Sequence, residues 1–154
     1  MSTAPSKEQQ ERLTTRLTTG GFRFTPQREH VYAVLLQKRD HPTAEEVFIR
    51  AKRDLPDISM ATVYNCLDAL VRCSLVRLVT VDRGAARYCP NMAEHSHFRC
   101  ELCGRIYDIE LAPEDLRPHL PRGFTVNHSD VSLRGLCADC ARTAKAETHS
   151  AASR

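Results

Sequence analysis

Tryptophan is absent, and phenylalanine and tyrosine together make up only 6% of the chain. The core is therefore left to aliphatic side chains. No apolar run is long enough to cross a bilayer, which excludes a helical membrane protein. The first ten residues, MSTAPSKEQQ, lack the apolar core of a signal peptide, so the expected compartment is the cytoplasm. Glycine is scarce, at six residues. No glycine-rich phosphate loop and no nucleophile motif is found, which argues against an enzyme. No internal repeat is seen.

The 154 residues suffice for one large domain or two small ones. Net charge is +3. Residues 1–90 carry 14 basic and 10 acidic side chains, and residues 91–154 carry 8 and 9. The basic excess thus lies in the N-terminal part, where a polyanion can be met.

Seven cysteines, an odd number, stand out. Cys100 and Cys103 form one Cys-x-x-Cys pair; Cys137 and Cys140 form a second after 33 intervening residues. Four thiolates in two such pairs suit a tetrahedral Zn²⁺. Gly104 follows the first pair and lets the chain turn back over the metal. A closed site of four sulfurs builds structure and does not catalyse. Two disulfides, or a redox pair, are the alternative. Just upstream, His95 and His97 are two apart, so in an extended segment they face one side. They read either as half of a nitrogen-rich second site for Fe, Mn, Zn or Ni, or as solvated loop histidines.

Taken in order, residues 1–6 read as disordered and Glu8–Thr19 as a polar helix stopped by Gly20-Gly21. Thr25 caps a second helix, with Pro26 in its first position, running to about Lys38. Thr43 and Glu46 form a capping box for a third, from Ala44 to about Leu55. Ser59 caps a fourth, Met60–Cys73, whose apolar face holds Val63, Leu67, Leu70 and Val71. Its other face offers Ser59, Thr62, Tyr64 and Asn65 to base edges and phosphates. Leu75–Val81 and Ala85–Cys89 read as two strands around an Asp82-Arg83-Gly84 turn. Helices followed by a hairpin is the order of a winged-helix DNA-binding domain. A small helical core with a hairpin lid and no nucleic acid is the other reading.

Residues 90–94 read as a linker. Beyond them, 98–100, 105–109 and 124–133 are strand candidates, with helical turns over 113–120. The tail from about Lys145 reads as disordered. The predicted fold class is α+β, with a winged-helix domain over 1–90 and a small metal-binding α/β dimerisation domain over 91–154. The second segment is too small to bury a sound core unaided, so zinc and a partner chain are expected to complete it. Cys66 and Cys73 read as core thiols, His30 and His119 as surface residues, and His149 as part of the tail.

Phe24-Thr25-Pro26-Gln27-Arg28, His41-Pro42-Thr43-Ala44, Ala61-Thr62-Val63-Tyr64, His95-x-His97 and Cys100-x-x-Cys103-Gly104 occur in that order. Over residues 10 to 142 the chain resembles the ferric uptake regulator family of bacterial metal-dependent transcription factors. The resemblance implies a homodimer that binds a palindromic double-stranded DNA operator when a sensing metal is in place, and no membrane. Asn65 and Asp108 resemble the peroxide-responsive branch. The implied regulatory ligands are His41, Cys89, His95, His97 and Asp108, taking Fe²⁺, Mn²⁺ or Zn²⁺. Cys89 departs from the Asp or Glu usual in the peroxide and iron branches. A thiolate there favours zinc, unless Cys89 is a buried inert thiol. A third site found in some members falls on Glu94, Asp115 and His128. Arg23, Arg28, Arg77 and Arg83 are the candidate phosphate contacts, and Tyr64 and Asn65 the candidate base contacts.

The expected function is a repressor that senses peroxide, or one that senses zinc or iron and controls metal uptake. A zinc-ribbon redox or hydrolytic enzyme, drawing Glu94, His95 and His97 into an open zinc site, is the reading from another class, and a zinc-knuckle protein-interaction module a further one.

Overall fold

Capping residues set the helix boundaries. In the computed structural model, which describes residues 4–80, 84–127, 129 and 131–151, Ser6 opens α1 (Lys7–Thr19) with a full capping box closed by Gln9. Order therefore begins before residue 7, earlier than the polar N-terminus suggests. Thr25 accepts from the Arg28 N–H to open α2 (Pro26–Gln37). Thr43 and Glu46 cap α3 (Ala44–Ala51) reciprocally. Ser59 accepts from Thr62 to open α4 (Met60–Arg72). α3 is about a turn shorter than its apolar pattern suggests. Pro56 disfavours helical geometry at Leu55, and the chain leaves the helix through a tight turn in which the Arg53 N–H donates to Arg50.

The chain divides into two compact units, Met1–Met92 and Ala93–Arg154. In the first, α1 to α4 enclose one apolar cluster that includes Leu13, Leu17, Leu35, Val63, Leu67 and Leu70. Each such side chain contributes about 1.5–3 kcal/mol by leaving water. α4 ends with Ser74 in the left-handed region (φ 54) while Ser74 and Leu75 donate back to Val71 and Leu70. Leu75 and Val76 are consequently buried cap residues, and β1 (Arg77–Val79) starts later than expected. β1 pairs antiparallel with β2 (Arg87–Cys89), Arg77 opposite Cys89. Helices followed by this hairpin make a winged-helix unit. The tip at Val81, Asp82 and Arg83 lies outside the described residues.

The second unit is a three-stranded sheet in the order β4-β3-β5. β3 (Ser96–Cys100) runs antiparallel to β4 (Ile106–Ile109) and parallel to β5 (Ser132–Gly135). Between β4 and β5 lie α5 (Pro113–Leu116) and a 3-10 turn at Arg117–His119. The strand expected over 124–133 is reduced to β5; residues 124–127 are not in a strand, and His128 and Asp130 lie outside the described residues. The tail is not disordered from Lys145: α6 runs Ala138–Ala151. Four alanines between 138 and 146 explain it, since alanine is the strongest helix former.

Candidate metal centre

β3 delivers Cys100 at its last residue, and the chain folds back at once. The Gly104 N–H donates to the Cys100 carbonyl at 2.9 Å, with Gly104 in the left-handed region (φ 72). Only glycine takes that geometry without strain. Cys137 and Cys140 come from the start of α6. The four sulfurs lie within 4.8 Å of one another, Cys103 to Cys137 at 3.9 Å. Sulfurs bound to one tetrahedral zinc at ~2.3 Å stand ~3.8 Å apart. All seven cysteines are free thiols.

The charge state fits the same conclusion. The N–H groups of Cys103 and Cys137 hold the Cys100 thiol down at about 6, against the effect of burial. The Cys140 N–H lowers the Cys137 thiol. Cys140, sharing a proton with the sulfur of Cys137 first and hindered by burial, is pushed up to about 12. Four adjacent sulfurs do not all ionise without a cation among them, and a divalent thiophilic ion relieves this conflict. The four sulfurs fit Zn²⁺, which with no open position would hold β3, the knuckle and α6 together.

A second donor set sits at the other end of β3. His97 pairs in register with Asp108 across the β3–β4 ladder. Asp108 Oδ1 lies 3.5 Å from Nε2 of both His95 and His97, and the two Nε2 atoms are 3.0 Å apart. His95 Nδ1 lies 2.6 Å from the Ala93 carbonyl. A carbonyl only accepts, so Nδ1 carries the proton and Nε2 presents its lone pair. Donors about 2.1 Å from one ion stand roughly 3.0–3.5 Å apart. Two imidazoles and one carboxylate on one point form the triad that suits non-haem Fe²⁺ or Mn²⁺. Both histidines are buried, not solvated.

In the first unit His41 and Cys89 are both buried, with ligand atoms within 4.8 Å of each other. His41 adopts φ 54, rare for a residue with a Cβ. Its neighbours hold it there. Asp40 takes a two-pronged grip from Arg50, at 2.9 and 2.7 Å. Burial works to raise the Asp40 carboxyl, but the Arg50 hydrogen bonds and charge outweigh it and hold the group below its usual range.

The third-site residues do not come together among those described. Glu94 is exposed, and the Asp115 carboxylate accepts from the Ala112 N–H at 2.8 Å, serving as a helix cap. His128 lies outside the described residues. His119 is exposed, and His30 is half-buried, its side chain 14% exposed with Nε2 3.3 Å from the Ala51 carbonyl. Cys66 and Cys73 are buried core thiols.

On α4, Tyr64 and Asn65 are exposed. Ser59 is engaged as the cap and lies 2.8 Å from the Thr62 hydroxyl. Arg23 is exposed, while Arg28 folds back, donating to the Arg23 carbonyl and covering the Phe22 ring at 5.4 Å. Arg77 donates to the Met92 carbonyl. Arg83 lies outside the described residues. The sequence reading missed Glu45, which accepts from the Tyr64 hydroxyl at 3.1 Å, and Arg87, which donates to the His41 carbonyl at 3.0 Å. Arg87 was signalled only by its place two residues before Cys89 on one strand.

A profile described as the ferric uptake regulator family matches residues 19–134. The peroxide-responsive repressor PerR of Staphylococcus aureus is 34% identical over 128 residues, covering 80% of this chain and 86% of that protein. The crystal structure of the Campylobacter jejuni peroxide stress regulator is 30% identical, with TM-score 0.62, covering 88% of this chain and 99% of that one. The Helicobacter pylori ferric uptake regulator Fur is 22% identical, with TM-score 0.73 over 92% of this chain and 97% of that one, a likeness of fold.

Proposed function

Because the chain belongs to the ferric uptake regulator family, we propose that it is a metal-dependent, DNA-binding transcriptional repressor that responds to peroxide. The observation that carries this reading is the triad of His95, His97 and Asp108, a donor set matched to Fe²⁺ or Mn²⁺. Support also comes from the relatives named as peroxide regulators. In this reading the protein acts in the cytoplasm as a homodimer on a palindromic operator. Its regulatory ligands are His41, Cys89, His95, His97 and Asp108, and zinc at Cys100, Cys103, Cys137 and Cys140 is structural.

The chain's own residues do the switching. A metal bound by that ligand set would limit motion about the linker over residues 90–94. Two recognition helices read two half-sites only when held about one helical turn, roughly 34 Å, or a multiple of it apart. Metal occupancy therefore raises operator affinity by selecting that form. Tyr64 and Asn65 of α4 meet base edges. Ser59, Thr62, Arg23, Arg28 and Arg77 serve the phosphates, so binding weakens as salt rises. Held by these residues, ferrous iron would supply the electrons that split the peroxide O–O bond, one oxygen leaving as water and the other going to His41 or His95.

Cys89 favours a second reading, a zinc-responsive repressor of metal uptake genes, since its sulfur is softer than a carboxylate. One experiment separates the two. The protein is loaded with Fe²⁺, Mn²⁺ or Zn²⁺, exposed to dilute peroxide, tested for operator mobility shift, and its peptides weighed. One added oxygen on a histidine peptide of the iron form, with loss of operator binding, is expected. An unoxidised iron form together with tight, zinc-dependent binding overturns the peroxide reading. Absence of any metal-dependent binding overturns both.

A further inference from the structure

Strand β2 grips His41 from two ends. Residues 87 and 89 of one strand point to the same side. Cys89 presents its sulfur near the His41 ring, while Arg87 Nη1 donates to the His41 carbonyl at 3.0 Å. The peptides that follow are tied to the same strand. The Tyr88 N–H donates to the Pro42 carbonyl at 3.0 Å, and Thr43 makes an isolated antiparallel bridge with Arg87. Pro42 and Thr43 are thus tied to β2 by one hydrogen bond and one bridge. The carbonyl that Arg87 holds belongs to a histidine with positive φ, a conformation that lasts only where the surroundings impose it. The same guanidinium lies 3.8 Å from Glu46 Oε2, and Glu46 accepts from the Thr43 N–H at 2.9 Å to close the cap of α3.

We propose that Arg87 is the positioning residue of the regulatory metal site: it fixes the backbone of His41, so aiming the imidazole at the point that Cys89 faces, and it gears that site to the wing and to the start of α3. This rests on the regulatory reading above, since it takes His41 to be a ligand. It adds a route inside the DNA-binding unit by which a bound ion stiffens the wing and the helix-turn-helix, apart from any hinge motion. Arg87 touches no metal; it acts through the residue that does. A lysine can reach one of its two partners but does not span both with a planar fork.

The test uses full-length protein with its structural zinc retained, and Mn²⁺ as the probe. Mn²⁺ affinity is measured by calorimetry for the wild type, Arg87→Ala, Arg87→Lys, His41→Ala and the His41→Ala/Arg87→Ala double variant. Loss of an outer partner of a metal ligand costs about 10- to 100-fold in affinity. Arg87→Ala is expected to lose at least about 10-fold, and Arg87→Lys to fall between it and the wild type. In the His41→Ala background, removing Arg87 is expected to change affinity by less than about two-fold, because the residue it positions is gone. Equal loss in both backgrounds, or Arg87→Ala binding like the wild type, overturns the proposal. Where Arg87→Ala does not fold, the cycle is run with Arg87→Lys, and wild-type affinity there has the same force. A wild type that takes up no Mn²⁺ beyond its zinc sinks the regulatory reading itself, a result distinct from either outcome for Arg87.

Discussion

Cys66 and Cys100 carry the same side chain into opposite surroundings. Burial in the helical core pushes the Cys66 thiol up to about 11, with the Arg28 charge only partly opposing, whereas peptide N–H groups draw Cys100 down. At pH 8 only about one Cys66 in a thousand is thiolate, and thiolate is the nucleophile. Alkylation of the metal-stripped protein at pH 8, with α1 to α4 still folded, is expected to mark Cys103 and leave Cys66 untouched, read by peptide mass. Labelling of Cys66 as fast as Cys103 contradicts its placement in the core. At this scale the sequence showed some candidate donors and hid others. The four cysteines and the His95-x-His97 pair are visible because their spacing is local. Asp108 stands opposite His97 only through strand register, which nothing in the local sequence announces; only resemblance pointed to it. Arg87 and Glu45 are ordinary surface charges until the fold brings them to His41 and Tyr64.

Helix starts were legible because one or two side chains settle each of them. Thr25 with Pro26, Thr43 with Glu46, and Ser59 all cap where their chemistry requires. Ser59→Ala is expected to cost about 1 kcal/mol, a lowered Tm in thermal melts of the DNA-free protein. That cost is separable from any loss of operator affinity. Helix ends were less legible, since they depend on what lies across the core. α1 closes on Gly20, where an added Cβ meets Cys73 Sγ at 2.6 Å. Gly20→Ala is therefore expected to destabilise by about 1–3 kcal/mol through overpacking. Cys73→Ala in the same chain should restore part of this, since it removes the obstructing sulfur. A double variant no more stable than Gly20→Ala counts against that contact. β5 was mistaken for a longer strand because Phe124, Val126 and Val131 look strand-like, while pairing with β3 starts only at Ser132.

The two units hold themselves together by different means. Met1–Met92 has an aliphatic core spread over four helices. In Ala93–Arg154 the buried cluster around the knuckle is Cys100, Cys137 and Cys140, with Phe98 and Tyr107 packed against it. A unit whose described buried cluster is built on sulfur is expected to depend on a bound ion. Stripping zinc from the full chain is expected to unfold the second unit while the helical circular-dichroism signal of α1 to α4 persists to a separate, higher melting transition. A single transition, unshifted by chelation, would show that the cysteines bind nothing that matters to stability. Cys103→Ser is expected to behave like the chelated protein.

The last helix draws its own consequence from that arrangement. Fourteen residues are barely enough for a helix to persist alone in water, and α6 is anchored by Cys140 in its first turn. Zinc at the four cysteines would act as a clamp on the root of the helix, and its release is expected to let the whole C-terminal rod fray. Trypsin, which cuts after Arg142 and Lys145 only in unwound chain, becomes a gauge of how many knuckles in a sample are filled.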